Sequence, residues 1–462
     1  MQCVADAAPP ALAASPHDAR RARHGPGKSG IPLSSATALL RRLCQVKDGE
    51  ASALLWSFAY FFCLLFSYYV MRPVREEMGI SGGMDKLPWL FTAVFASMLA
   101  AVPVFSALVA RLPRRRFIPI VYHFFASNLL VFFGLLSLGA PRGEVGKVFY
   151  VWLSVFNLFV VSVFWGFMAD LWRSEQGKRL FGFIAAGGSA GALAGSFVTA
   201  AQARQIGTAN LLLLSAALLE LAVLCVGRLN RLSARLEGGG AARPEAAAAD
   251  ERIGGGAFRG VTLVLRSPYL LGICAQTLFL SMTATVLYFE QARIVSAQSM
   301  DPARRTEMFA TIDLTVNVIT ILVQVLVTGR LMTRVGLGVA LAVVPVVTGV
   351  GFAALAAQPT LWMIAAFQGL RRAIHYAVDR PAREILFTVV AREEKYKAKS
   401  FIDTVAFRGG DAASAWALSG LSALGLKAAG LSLLMVPVAG GWVLLSRYLA
   451  RRQAERARGE VG

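Results

Sequence analysis

Three arginines stand within long apolar segments of this chain. Arg371 and Arg372 share one segment, and Arg408 lies in the next. An ionisable group in an apolar span costs roughly 2.5 kcal/mol or more, so it is by default a candidate for function. The planar guanidinium donates paired hydrogen bonds to carboxylates and phosphates, and it stays charged in any environment. We therefore expect these arginines to form a cationic centre that binds an anionic solute.

A structural interpretation competes with the cationic centre. Arg371 and Arg408 would then be neutralised by nearby carboxylates, those of Asp379, Asp403 and Asp411. Asp411 follows Arg408 by three positions, which places both on one face of a helix. Such pairs would fix how the two segments pack, and they could also open and close during function. Asp411 is therefore both a candidate partner of Arg408 and a candidate substrate contact.

A polar stripe interrupts another apolar segment, "FATIDLTVNVITILVQ" at 309–324. Asp313 and Asn317 are four residues apart, so they share a helical face, which we expect to line a cavity rather than to face lipid. The carboxylate would carry a proton or contact substrate. The alternative is an interhelical hydrogen bond, which the pattern supports equally well.

A second group of charges lies at the ends of apolar segments. Arg72 and Arg75, in "YYVMRPVREEMG" at 68–79, are further candidates for substrate binding. Five more charged residues are candidates for gating ion pairs: Glu76, Asp170, Arg173, Glu290 and Arg293. We expect Arg72 to pair with Glu76 and Arg75 with Glu290 across the mouth of a cavity, with the helix bent or broken at Pro73. The alternative is a stiff, charge-satisfied cap on the first segment.

Two further ionisable residues lie within apolar segments, His123 and Glu220. Glu220 stands in "ALLELAVLC" without polar neighbours in the sequence, which favours a structural or protonated carboxyl. Elsewhere, Gly187, Gly191 and Gly195 recur every four residues. This stripe predicts a face where another helix packs closely, since small residues allow backbones to approach. Direct contact with substrate is the less favoured alternative for the glycines.

The composition places these residues in a membrane protein. Hydrophobic residues make up 56% of the 462, charged residues 16%, and the mean hydropathy is +0.57. A span needs about 20 apolar residues, and twelve segments qualify: 51–71, 87–110, 117–139, 147–169, 181–202, 208–227, 267–289, 307–328, 337–357, 359–379, 400–422 and 428–447. We therefore predict an all-α polytopic protein of two six-helix halves, 51–227 and 267–447. They are joined by a cytoplasmic linker, 228–266. An N-terminal segment, 1–50, consists of a disordered tail and a short helix, and a cytoplasmic tail, 448–462, follows the second half.

The distribution of Lys and Arg predicts the orientation. Most of them fall in the loops on the side of both termini, which is typical of the cytoplasmic side of an inner membrane protein. The net charge of +20 is therefore explained by these loops, and we expect no nucleic-acid partner. The five cysteines and four histidines are scattered, so we predict no metal site and no cofactor. No nucleophile stands with a base in the sequence, which argues against an enzyme.

The halves resemble each other. A shift of 219 residues relates "ARLPRRRF" to "GRLMTRVG" in equivalent loops and also aligns Tyr69 with Tyr288. This duplication is the layout of the major-facilitator fold, whose halves enclose a site at the bilayer midplane.

Two stretches make the resemblance more specific: "YFFCLLFSYYVMRPVREEMG" at 60–79 and "FWGFMADLWRSEQGKRLFGFIAAGGSAGALAGS" at 164–196. With the six-plus-six plan, they resemble the bacterial branch of the ATP/ADP translocase family, the NTP/NDP exchange transporters. The resemblance implies a secondary transporter of an organic anion, with a nucleotide as substrate, that works by alternating access. Coupling by exchange or by protons stays open. The other interpretations are a proton-coupled transporter of another small solute and a membrane scaffold or sensor that does not transport.

Overall fold

The computed structural model describes residues 50–111, 114–172, 174–237, 259–334, 336–391, 397–399 and 401–459. Arg173, nearly all of the predicted N-terminal tail and most of the predicted linker lie outside these residues. Throughout the described chain the regular structure is helical.

The first half consists of six long helices. They are α1 (Glu50–Ser81), α2 (Leu87–Arg111), α3 (Arg114–Ser137), α4 (Arg142–Leu171), α5 (Ser174–Ile206) and α6 (Thr208–Glu237). The shortest, α3, has 24 residues, so each helix is about 36 Å or longer, enough to cross a bilayer. Pro73 lies inside α1, which does not end there, so the predicted break at Pro73 is wrong.

The second half contains more and shorter helices. They are α7 (Arg259–Arg266), α8 (Pro268–Gln298), α9 (Pro302–Arg334), α10 (Leu337–Ala357), α11 (Leu361–Ile374), α12 (Arg380–Leu386), α13 (Phe407–Ala423) and α14 (Ala428–Ala457). Across both halves, 10 helices of the described chain are long and apolar enough to span a membrane. They correspond to the predicted spans one to nine and twelve.

The tenth and eleventh predicted spans are each interrupted by a π-helical segment. His375–Asp379 separates α11 from α12, and Ile402–Ala406 precedes α13. Pro381 lies in the first turn of α12 and has no N–H to donate to the preceding turn. This missing donor accounts for the irregular backbone hydrogen bonds after α11. π-Helical turns occur frequently at functional sites.

The glycine stripe of α5 packs directly on α1. A Cβ atom at Gly187, Gly191 or Gly195 would lie 2.6, 2.3 or 2.7 Å from the carbonyl oxygens of Phe58, Phe62 and Phe66. The glycines and the phenylalanines both repeat every four residues, so two ridges run along each other over two turns. This is the close helix contact that the glycine spacing predicts.

The contact provides a test of the fold. We expect Gly191→Ala to lower the free energy of unfolding by about 1–3 kcal/mol, because its methyl group meets backbone atoms of α1 that cannot turn aside. Thermal unfolding in detergent measures this. Gly182→Ala is the matched control on the same helix, since nothing lies within 4 Å of its new Cβ. Equal melting temperatures for the two variants would contradict the packing.

The two halves meet through an apolar cluster at one end of the molecule, which we call the Ser81 end. Ile80, Leu87 and Leu90 of the first half pack there with Phe289 and Val295 of the second. The other large clusters each draw on one half alone. The halves are therefore sealed together at the Ser81 end. We call the opposite end, which carries Glu50 and Arg266, the basic end.

Candidate functional site

A central cavity of about 220 Å³ lies between the two halves. α1 and α4 supply one wall, and α8, α11, α13 and the π-helical segment after α11 supply the other. Seven charged side chains line it: Arg72, Arg75, Glu76, Arg371, Arg372, Arg408 and Asp411. Five of these are arginines and two are carboxylates, so the lining carries an excess of positive charge.

Arg371 is a buried cation that forms no ion pair with a carboxylate of the described chain. Its side chain donates to the carbonyl oxygen of Leu280 at 3.0 Å and to the hydroxyl of Thr283 at 3.1 Å. Its Nε has no hydrogen-bond partner, and no carboxylate of the described chain lies within 4 Å of the guanidinium. Each of the three carboxylates that the sequence offers has a closer partner, so none of them forms the predicted ion pair with Arg371.

Those three carboxylates each have another partner. Oδ2 of Asp379 lies 2.9 Å from Nδ1 of His375, and Asp403 pairs with Arg383 at 2.9 Å. Asp411 lies 3.5 Å from Arg408. The structural interpretation therefore holds in part for Arg408, whose predicted pair with Asp411 is present.

Asp411 is held mainly by α8. The Ser281 hydroxyl donates to its carboxylate at 2.6 Å, and Thr285 lies at 3.4 Å. Arg408 is the more distant partner of this carboxylate, at 3.5 Å. Both Arg408 and Asp411 line the cavity, as does Arg372 on α11.

Arg72 joins the two halves. It donates to Asp313 of α9 at 2.6 Å, and its Nε lies 3.9 Å from Glu76 on the next turn of α1. The predicted Arg72–Glu76 pair is thus present, but the closer partner lies in the other half. Asp313 is only 4% exposed and stands behind Arg72 rather than in the cavity lining.

Asn317 faces the first half and does not line the cavity. Its amide donates to the Ser196 hydroxyl at 3.2 Å, on the helix that carries the glycine stripe. The expectation that the polar stripe of α9 lines the cavity is therefore wrong, because both of its members face α1 and α5. The alternative, an interhelical hydrogen bond, is what the structure contains.

Arg75 lies against Tyr150 on the side of the cavity towards the Ser81 end. Its guanidinium carbon is 4.6 Å from the Tyr150 ring centroid, and it pairs with Glu76. The predicted pair with Glu290 is wrong, since Glu290 lies 2.8 Å from Arg293 on its own helix. Glu290 and Arg293 line a second cavity of about 410 Å³ towards the Ser81 end. Charges three residues apart on one helix are already neighbours, whereas a pair between the two halves forms only if the halves pack so that the two side chains meet.

Asp170, another candidate for a gating ion pair, does not line the cavity. It lies at the end of α4 towards the basic end. Arg173 lies outside the described residues.

Aromatic residues close the cavity towards the Ser81 end. The Tyr150 hydroxyl donates to that of Tyr288 at 3.1 Å, and the Phe91 ring packs edge-on against Tyr288 at 5.3 Å. Nearby, Gln368 donates to Gln291. The two aromatic contacts join α4 and α2 of the first half to α8 of the second, and the amide contact joins α11 to α8 within the second half. Sequence reasoning missed them because neutral aromatic and amide side chains within apolar spans carry no distinguishing signal.

Two buried ion pairs within the first half were also missed. Glu50 pairs with Arg179 at 3.1 Å, and Glu77 with Arg142 at 3.0 Å. All four lie outside the cavity lining. Each is separated from its partner by more than 60 residues, so spacing alone gives no signal. Within the described residues no group of three or more metal-ligating side chains occurs.

The chain was compared with known proteins. No protein-family model matches it, and no curated protein does. It is similar in structure to a POT family transporter in complex with 5-aminolevulinic acid, with a TM-score of 0.58 and 14% identity over 87% of this chain and 96% of the other. A POT family transporter in complex with a thioalcohol-conjugated peptide has a TM-score of 0.59 and 13% identity over the same shares.

A third structure is that of a bacterial homologue of the human lysosomal transporter Spinster, in an inward-facing and unoccupied conformation. Its TM-score is 0.50, with 13% identity over 89% of this chain and 98% of that chain. None of these structures points to the ATP/ADP translocase family. The likeness extends over both halves and establishes that the chain is a multi-pass membrane protein with the major-facilitator-type transporter fold.

Proposed function

We propose that this protein is a secondary transporter that moves a small organic anion through the central cavity by alternating access. The observation that carries the proposal is the lining of that cavity, where five arginines face two carboxylates. An excess of buried positive charge is costly unless a ligand neutralises it. A cavity enclosed by the two halves is also where this fold holds its substrate.

Unpartnered polar atoms around the cavity refine the chemistry of the substrate. Nε of Arg75 and Nε of Arg371 are buried donors without an acceptor, and Oε2 of Glu76 and Oδ1 of Asn157 are buried acceptors without a donor. Buried polar atoms are rarely left in this state. The arrangement favours an anion that also carries hydroxyl or amino groups, and the aromatic rings of Tyr68 and Tyr376 favour an organic body.

The sealed Ser81 end supports alternating access. The excess of Lys and Arg in the loops of the basic end favours a cytoplasmic location for that end and for both termini, in an inner membrane. In this orientation, the structure is closed towards the outside, and substrate enters and leaves the cavity from the cytoplasm. The hydrogen bond between Tyr150 and Tyr288 and the pair between Arg72 and Asp313 must then break when the outer side opens.

Nucleotide exchange is the finer form of this proposal, and it rests on the two sequence stretches that resemble the ATP/ADP translocases. Proton coupling is the alternative form, with Asp411, one of the two carboxylates that line the cavity, as the proton carrier. A scaffold without transport would not need a charged cavity, so the arginine lining argues against it.

Uptake into proteoliposomes tests the proposal. The panel contains labelled ATP and ADP, inorganic phosphate, dicarboxylates and amino acids, each with and without internal counter-substrate and with and without a pH gradient. We expect saturable uptake of an organic anion that bears hydroxyl or amino groups. Exchange-dependent flux of ATP and ADP would support the nucleotide form. Folded protein that moves none of the panel would overturn the proposal in favour of a scaffold.

A further inference from the structure

An ion pair lies on the outer face of the first half, within the depth of the membrane. Nδ1 of His123 on α3 and Oε1 of Glu220 on α6 are 2.9 Å apart, and their side chains are 55% and 47% exposed. His123 lies about 14 Å along α3 from its start, and Glu220 about 18 Å along α6 from its start. Both positions fall within the hydrocarbon core, which is about 30 Å thick. Glu220 has no polar neighbour in the sequence, and the structure places His123 beside it.

This placement contradicts the usual rule for ionisable residues in membranes. Such residues almost always face the interior of the helix bundle or a water-filled cavity. Neither residue lines the central cavity. Around the pair, the exposed surface is mostly apolar: Ile120, Phe124 and Leu224 are 55%, 59% and 63% exposed. A half-exposed charged pair amid apolar side chains would face lipid in a single copy of the chain.

The remaining polar atoms of the pair are also unsatisfied. Only one ring nitrogen of His123 and one carboxylate oxygen of Glu220 take part in the contact. Nε2 of the imidazole and Oε2 of the carboxylate have no partner within the described chain. In hydrocarbon, an unsatisfied polar atom costs several kcal/mol because no water is available to replace the missing bond.

We propose that the face formed by α3 and α6 around His123 and Glu220, the α3–α6 face, is an interface with a second copy of this chain. The argument is self-complementarity. A two-fold axis brings the same patch of both copies together, so that Nε2 of each His123 meets Oε2 of the other copy's Glu220. With one proton per copy on Nε2 or on Oε2, two reciprocal hydrogen bonds then satisfy all four atoms.

The position of the face agrees with this occupant. α3 packs mainly against α6 and also against α4, all within the first half, so its outer side is free. The face lies away from the cavity and from the cross-half contacts of α1, α2, α4 and α5. Two copies joined there can each open and close without breaking the contact.

Cysteine cross-linking tests the interface. In a background whose native cysteines are replaced by alanine, Phe124→Cys adds a thiol beside His123, and we expect an intermolecular disulfide in native membranes. Val346→Cys on α10 is the matched control, since it is 50% exposed at nearly the same depth. A product with the mass of two chains at Phe124→Cys alone supports the proposal. Equal cross-linking at both positions, no product, or a product with another protein's mass overturns it.

Energy transfer between copies fused to donor and acceptor fluorophores provides a second measurement that needs no cysteine. In dilute liposomes, we expect the double variant His123→Leu/Glu220→Leu to weaken dimerisation about tenfold, in line with the loss of two interhelical hydrogen bonds. The exchange variant His123→Glu/Glu220→His keeps both groups on the face and should retain dimerisation. If the leucine variant transfers energy as well as the wild type, or if the wild type transfers none, the proposal is wrong.

Discussion

Arg371→Met should weaken ligand binding at least about 30-fold without destabilising the empty protein. Methionine fills a similar volume but cannot bind an anion. The two oxygens that Arg371 contacts keep other partners, since Thr283 also donates to the Phe279 carbonyl at 2.8 Å and Leu280 is within a helix. Removing the cation therefore leaves no orphaned group, and it relieves the burial of an unpaired charge. We expect the melting temperature of the unliganded protein to stay the same or to rise.

The ligand-dependent measurements should change in the opposite sense. Loss of a buried, charge-assisted contact costs about 2–5 kcal/mol, so we expect at least about 30-fold weaker binding of the transported anion and a corresponding loss of uptake at low concentration. Thermal stabilisation by added substrate measures the binding, and proteoliposome flux measures the uptake. Arg371→Lys should recover only part, because an ammonium lacks the planar fork.

The control for Arg371 is Arg451→Ala, which removes an arginine from the exposed end of α14. It should leave both binding and stability unchanged. If Arg371→Met melts well below the wild type but transports normally, the arginine is structural, and the cationic centre must be assigned to Arg372 and Arg408.

The fold could be predicted from the sequence because the membrane imposes a length on every span. Ten of the twelve predicted segments correspond to long helices, since runs of about 20 apolar residues have few other uses. The predicted ends were less accurate: α1 continues ten residues beyond 71, to Ser81, and α6 continues to Glu237. Helices can extend past the hydrocarbon into the headgroup region, where hydropathy gives no boundary. The π-helical segments were not predicted, because they arise from a local change in the spacing of backbone hydrogen bonds, which the pattern of apolar residues does not indicate.

The candidate site was predictable in its members but not in its pairings. Arg72, Arg75, Arg371, Arg372 and Arg408 all line the central cavity, because a charge within an apolar span is costly unless the protein encloses it. Pairs that share a helix, such as Arg408 with Asp411, follow from spacing. Partners between halves do not, because the packing of α1 against α9 decides them. Hence Asp313 was expected in the cavity and lies behind Arg72 instead.

That cross-half pair is the second feature for which we expect a large effect. Arg72 and Asp313 are 2.6 Å apart, with side chains only 15% and 5% exposed. Arg72→Met leaves the Asp313 carboxylate buried without its cation, and breaking a buried pair in this way costs about 3–5 kcal/mol. We expect a correspondingly lower melting temperature. The double variant Arg72→Met/Asp313→Leu removes both charges and should recover most of the loss, which a double-mutant cycle measures.

The same variants test whether the Arg72–Asp313 pair breaks when the Ser81 end opens or stays formed. Arg383 and Asp403 form a comparable pair, 2.9 Å apart with side chains 10% and 17% exposed, but both belong to the second half. Arg383→Met should therefore destabilise the protein without changing how the halves move.

If the Arg72–Asp313 pair holds the Ser81 end closed, the double variant should open that end more often. A thiol introduced by Ala284→Cys in the cavity wall should then react faster with an impermeant reagent added from that side. The reaction should stay at its original rate in Arg383→Met. Equal rates in all three proteins would show that the pair between α1 and α9 stabilises the fold and takes no part in opening it.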